Sequence, residues 1–113
     1  MNTVTLEVAS REKSDRRFPS AIRGKSQGAF ISFESPALLF KVFSGKRWDL
    51  LKTMAGAGPV TIREAARQAA RDVKAVHGDI QALLKAGILE KTDEGKVVFP
   101  FDAIHVDFML NVA

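Results

Sequence analysis

Residues 61–87 read TIREAARQAARDVKAVHGDIQALLKAG, and they decide the fold. Thr61-x-x-Glu64 has the form of a capping box, in which each residue closes a free backbone donor of the other's helix turn. Behind it Ile62, Ala65, Ala66 and Ala69 fall at i, i+3, i+4 and i+7, which predicts a short helix with a small-residue inner face suited to close packing. After Ala70-Arg71 the spacing restarts with Val73, Val76, Ile80, Leu83 and Leu84 and stops at Ala86-Gly87, a longer amphipathic helix a few residues behind the first. On a helical wheel Val73, Val76, Ile80 and Leu84 take the core side, while Arg71, Lys74, Ala75, Gly78, Ala82 and Lys85 lie opposite with Gln81 at the edge.

Upstream, Ser35-Pro36 is an N-cap followed by proline at the first helical position, and it opens a helical run through Leu38, Leu39, Val42 and Phe43. Gly45 breaks the run. A second helix follows from Lys46 to about Ala55, with Arg47, Leu50, Leu51 and Met54 on one face, and Gly56-Ala57-Gly58-Pro59 ends it. Trp48 is read as a packing residue. Downstream, Ile88 and Leu89 begin an extended arm, Thr92-Asp93-Glu94-Gly95 is a tight turn and Lys96 to Phe99 return, which is a hairpin.

The two ends of the chain carry the period of a strand instead. Val4, Leu6 and Val8 alternate with Thr3, Thr5 and Glu7, and Ile104, Val106, Phe108, Leu110 and Val112 alternate with His105, Asp107, Met109 and Asn111. Residues 29–34 read as another strand. Residues 10–27 hold Arg11, Lys13, Arg16, Arg17, Arg23 and Lys25 against Glu12 and Asp15, and read as a helix interrupted at Pro19 and Gly24. These basic residues fit either an arm reaching DNA or a solvated surface. The expected organisation is a strand, basic segment and strand over residues 1–34, a helical and hairpin unit over 35–100, and a terminal strand over 101–113.

Helix, short helix, tight turn, longer amphipathic helix and hairpin within about 55 residues is the element order of a winged helix-turn-helix. The fold class expected is α+β, a winged helix-turn-helix with added N- and C-terminal strands. Small residues between cations let a helix approach a groove while Lys and Arg reach phosphates or guanine edges. The candidate DNA-binding residues are Arg63, Arg67, Arg71, Lys74, Ala75, His77, Gly78, Gln81 and Lys85, with Lys91 and Lys96 on the hairpin arms. A solvated helix face carries the same residue types, so binding of a partner protein stands beside DNA binding.

A chain of 113 residues allows one domain. Its 17 Lys and Arg against 13 Asp and Glu leave +4, graded along the chain: ten basic and five acidic groups over residues 1–60, two and five over 86–113. A basic surface attracts polyanions. Cysteine is absent, which removes disulfides, thiolate metal sites and a thiol nucleophile, and fits a reducing, cytoplasmic compartment. No signal peptide or membrane span is expected. His77 and His105 are the two histidines, a poor ligand set, so no metal is expected. His77 lies at the boundary of its helix's core side, where it would be packed or touch a phosphate. Asp72 and Asp79 read as a helix N-terminal charge and an intrahelical counterion. No nucleophile triad, carboxylate pair or phosphate-binding glycine loop is visible, so neither an enzyme nor a cofactor is expected.

From Phe33-Glu34-Ser35 through Gly45-Lys46-Arg47, then Ile62-Arg63-Glu64-Ala65-Ala66, Arg71 to Asp79, and Leu84-Lys85-Ala86-Gly87-Ile88-Leu89, the chain resembles the predicted MarR-like winged-helix transcriptional regulators of bacteria and archaea, some of which look like antitoxins. The resemblance runs over roughly residues 30–108 and is most specific at Arg71 to Asp79. It implies a small dimeric repressor of double-stranded DNA, or an antitoxin or adaptor whose main role is binding a toxin or other partner protein. The hairpin tip departs from the pattern: Asp93-Glu94 stands where wings that press on DNA carry Arg or Lys. A homodimer is also expected because strands at residues 3–8 and 103–112 leave edges that the helical unit does not obviously satisfy.

Overall fold

A computed structural model describes residues 2–8 and 29–109. The order is β1 (Thr3–Val8), β2 (Ala29–Phe33), α1 (Pro36–Val42), α2 (Gly45–Met54), α3 (Ile62–Ala69), α4 (Val73–Ala86), β3 (Glu90–Lys91), β4 (Val97–Val98) and β5 (Ala103–Asp107). The basic segment 10–27, with Leu110 and Val112, lies outside the described residues. The architecture is mixed: four helices among the described residues, a three-stranded sheet and a two-stranded one. This agrees with the α+β class. No helix among the described residues is long and apolar enough to cross a membrane.

Local chemistry starts α1, α3 and α4 where the sequence indicates, whereas α2 begins at Gly45, the residue expected to break the run, with no side-chain cap from Ser44. Ser35 accepts from the Leu38 N–H at 3.2 Å, with Pro36 at the first helical position of α1. The α3 box is closed both ways, Glu64 N–H to Thr61 Oγ1 at 3.1 Å and Thr61 N–H to Glu64 Oε1 at 3.0 Å. Hydrogen bonds from Thr61, its backbone N–H first and its hydroxyl second, hold the Glu64 carboxyl below the usual carboxylate range. Asp72 caps α4 by accepting from the N–H groups of Lys74 (3.1 Å) and Ala75 (3.3 Å), the N-terminal role expected of it.

The ends of the chain meet in the larger sheet, whose order is β2-β1-β5 and whose two pairings are both parallel. Val4 stands opposite Ala29 and Ile104, and Leu6 opposite Ile31 and Val106, so these residues share the face turned to the helices. Val4 and Leu6 are fully buried there. The expectation that both terminal strands expose unsatisfied edges is therefore corrected for β1, which has a neighbour on each side. β2 and β5 are the edges of this sheet among the described residues. Asn2 ties the ends: its N–H reaches Asp102 Oδ2 at 2.9 Å, its carbonyl accepts from the Asp102 N–H at 2.7 Å, and its amide reaches the Pro100 carbonyl at 2.7 Å. The regular part of the last strand ends at Asp107, and the expected extension past residue 109 lies outside the described residues.

One core joins sheet and helices. Leu50, Leu51 and Met54 of α2, Ala65 and Ala66 of α3, and Val76, Ile80 and Leu83 of α4 are buried against Ile88, Leu89, Val97 and Phe99. Ala65 and Ala66 let α3 and α4 pack at close range. Phe33 and Phe43 meet edge to face at 6.1 Å and link the end of β2 to the end of α1; half-buried Trp48 stacks on Phe43 at 5.1 Å, the packing role expected. Val60 exchanges backbone hydrogen bonds of 2.9 and 2.8 Å with Val97, which pins the hairpin to the start of α3.

Candidate nucleic-acid interface

Three residues, Ala70 to Asp72, separate α3 from α4. The turn is made by Ala70 in the left-handed region, at φ 56°, whose N–H closes on Arg67 while that of Arg71 returns to Ala66. A left-handed alanine costs about 1 kcal/mol or more against glycine, and here it ends α3 three residues before α4 begins. Most side chains in the first half of α4 are exposed, although Val76 is fully buried. Val73, Lys74, Ala75, His77 and Gly78 are all exposed, as are Gln81 and Lys85 further along.

Two expectations from the wheel are corrected here. Val73 is 42 % exposed and not core: side chains tilt toward the helix N-terminus, so at the first helical position this one reaches past the packed length of the helix. Leu83 is fully buried, and Leu84, assigned to the core side, is only half-buried. His77 is exposed, which removes the packed-histidine reading.

Arg71 departs most from its expected role. Its Nη2 lies 2.8 Å from Asp79 Oδ2, and its side chain is only 20 % exposed, so it is not an outward-facing base reader. Asp79 also accepts from Arg47 Nε at 3.0 Å, and Arg47 Nη1 reaches the carbonyls of Val42 (3.0 Å) and Lys41 (3.3 Å) at the end of α1. Asp79 is thus the counterion of two arginines from outside its helix, in place of the intrahelical role expected. The interlock ties α1, α2 and the α3–α4 turn to the middle of α4. Sequence reasoning missed it because the partners lie 8 and 32 residues apart and no local pattern links them.

The remaining candidates fall into two groups. Arg63 and Arg67 are exposed one turn apart on α3. Lys91 is exposed and Lys96 half-buried on the hairpin arms, with Thr92 closing the turn by accepting from the Lys96 N–H (3.1 Å) and donating to its carbonyl (2.8 Å). The tip, Asp93 to Gly95, is exposed and acidic. Lys85 also lines a groove of about 780 Å³ with Lys41, Arg47 and an apolar floor that includes Phe33 and Val42. The described residues contain no cluster of three or more His, Cys, Asp or Glu able to hold a metal ion.

Gly78 is the residue on this surface that packing does not explain. It sits inside α4 with ordinary helical φ, and a Cβ built on it meets nothing within 4 Å. Glycine inside a helix costs about 0.8 to 1.0 kcal/mol relative to alanine. Gly87 at the other end is the contrast: it caps α4 at φ 87° and has Ile31 at 3.8 Å from its would-be Cβ.

A family model described as HVO_A0114 matches residues 42–106, more than half of the chain, from the end of α1 into β5. Comparison with curated proteins and with solved structures finds no match.

Proposed function

The chain belongs to the HVO_A0114 family, and from its helix geometry we propose that this member is a cytoplasmic winged helix-turn-helix regulator, a MarR-like dimeric repressor that binds double-stranded DNA. In this reading α3 and α4 form the helix-turn-helix, β3 and β4 the wing, and α4 lies in the major groove with its exposed N-terminal half against the bases. Gly78 carries the argument: a glycine that neither backbone geometry nor packing requires, on an exposed face with Lys74 and Lys85, fits a surface where another molecule comes within a side chain's length.

The roles then divide by position. Lys74, Lys85, Arg63 and Arg67 neutralise phosphates, and Gln81 and His77 are placed to meet base edges. Arg71 and Asp79 hold the pose of α4. The wing meets the backbone through Lys91 and Lys96, because its acidic tip would be repelled from the minor groove. No step of this function needs a catalytic group or cofactor.

Titration of the protein against duplex from its own upstream region, in a gel shift over a salt series, tests the proposal. Specific binding whose affinity falls steeply with salt is the expected result. Indifference to every duplex would sink it and leave the partner-protein role of an antitoxin or adaptor.

A further inference from the structure

We propose that β5 is the seam of a symmetric homodimer, in which two copies pair edge to edge, antiparallel, about a two-fold axis through Val106. The inference specifies the dimer of the proposed function and rests on that reading for its biological use, but it is carried by the strand itself. One side of β5 is bonded to β1, and on its other side no strand pairs with it among the described residues. Such edges invite a further strand unless they are short, charged or covered. His105, Val106 and Asp107 are all exposed, Val106 at 39 % although it lies on the core face, and Met109 just beyond is 82 % exposed. Phe108 turns onto α1, where it meets Phe40 edge-on at 5.7 Å, and Phe40 is itself 58 % exposed. Apart from Val73 and Leu38, the large exposed apolar side chains among the described residues gather at this edge and its end.

The sequence of the strand is self-complementary in this register. With Val106 opposite its own copy, His105 faces Asp107 of the partner subunit, and the reciprocal pair forms on the other side of the axis. Phe108, which turns onto α1, and Met109 lie beyond the strand and outside this pairing. Apolar meets apolar at the axis, and acid meets imidazole on either side of it. Centring the axis on Asp107 would set carboxylate against carboxylate, and centring it on His105 would set Asp107 against an alanine, so Val106 is the register that satisfies both faces. The product is a six-stranded sheet, β2-β1-β5 continued by β5-β1-β2 of the second copy. The β2 edge offers no such match: its exposed residue is Ser32, and none of its side chains is a large exposed hydrophobic.

Cysteine scanning tests this directly, because the chain has no cysteine of its own. Directly opposite residues of an antiparallel pair have Cα atoms about 4.5 to 5.5 Å apart, within the range a disulfide spans. Val106→Cys is expected to cross-link the DNA-free protein fully under mild oxidation, whereas His105→Cys, offset from its own copy by two residues, should not. In sedimentation at roughly tens of micromolar the unmodified protein should be a dimer, and His105→Asp, which sets acid against acid twice, should raise the dimer Kd by about tenfold while His105→Lys does not. A monomeric unmodified protein, or cross-linking as strong at 105 as at 106, would overturn the proposal. All of these readings are taken without DNA. A failed seam with intact DNA binding refutes the seam alone, and a confirmed seam with no DNA binding refutes the regulator alone.

Discussion

Replacing Gly78 separates what the helix needs from what its surface does. The site is inside α4, its φ is helical and the space around its would-be Cβ is empty to 4 Å. Gly78→Ala should therefore gain the full helix preference of alanine, about 0.8 to 1.0 kcal/mol. For a domain of this size that raises Tm by about 4 °C. Gly78→Glu is also expected to keep the fold, since glutamate is a good helix former and its side chain has open room. On the DNA face, however, it places a carboxylate where phosphates and base edges come closest. Like-charge juxtaposition across an interface costs several kcal/mol, which corresponds to at least about a hundredfold loss of affinity. Gly87→Ala is the mirror control: at φ 87° alanine is strained by about 1 to 2 kcal/mol, so Tm should fall with DNA affinity retained in the folded protein. Thermal melts followed by circular dichroism and fluorescence anisotropy on a labelled duplex measure both quantities. A lowered Tm in Gly78→Ala, or unchanged DNA affinity in Gly78→Glu, would show the reasoning about this glycine to be wrong.

Four further outcomes are expected. Lys74→Ala and Lys85→Ala should each weaken all duplexes alike and make the slope of log affinity against log salt shallower by about 0.9, with melting unchanged; a change in sequence ranking instead would make them base readers. Asp79→Ala strands two half-buried arginines and should cost about 2 kcal/mol in urea unfolding, whereas Arg71→Ala leaves Asp79 its Arg47 partner and should cost less; equal costs would mean the interlock is not shared. Ala70→Gly relieves the left-handed alanine and should stabilise by about 1 kcal/mol; a loss of stability would refute that account of the turn. The lowered Glu64 pKa means that the carboxylate's contribution is present above the ordinary glutamate range and is lost as pH falls through the lower folded value. Amide protection factors, corrected for the intrinsic exchange rate at each pH, should therefore fall in the first turn of α3 on acidification, and Glu64→Gln should flatten that dependence; equal profiles would contradict it.

The helical elements were legible because their signals are local. Ser35-Pro36, the Thr61 to Glu64 box and Gly87 each act within one turn, so residue order alone locates the boundaries of α1, α3 and α4. The alternation of Val4 and Leu6 likewise announces a strand with a buried face. What it cannot announce is that the partners of that strand are Ile31 and Val106, because pairing across a hundred residues leaves no trace in a local period. The candidate face divides the same way. The exposure of Lys74, Gly78, Gln81 and Lys85 follows from a wheel, but the inward turn of Arg71 depends on Asp79 and on Arg47 of another helix, and the exposure of Val73 on where α3 ends.

The central place of β1 also sets an order of events during synthesis. The helices and hairpin are contiguous in the chain, so their contacts close short loops and can form early. β1 leaves the ribosome before the other described elements, yet one of its flanks and its tie at Asn2 wait for residues 102–107. Until then its apolar residues Val4 and Leu6 lack that neighbour and remain open to chaperones or to other nascent chains. A strand made early is therefore completed late, and removing residues 102–107 should take away a whole side of its sheet.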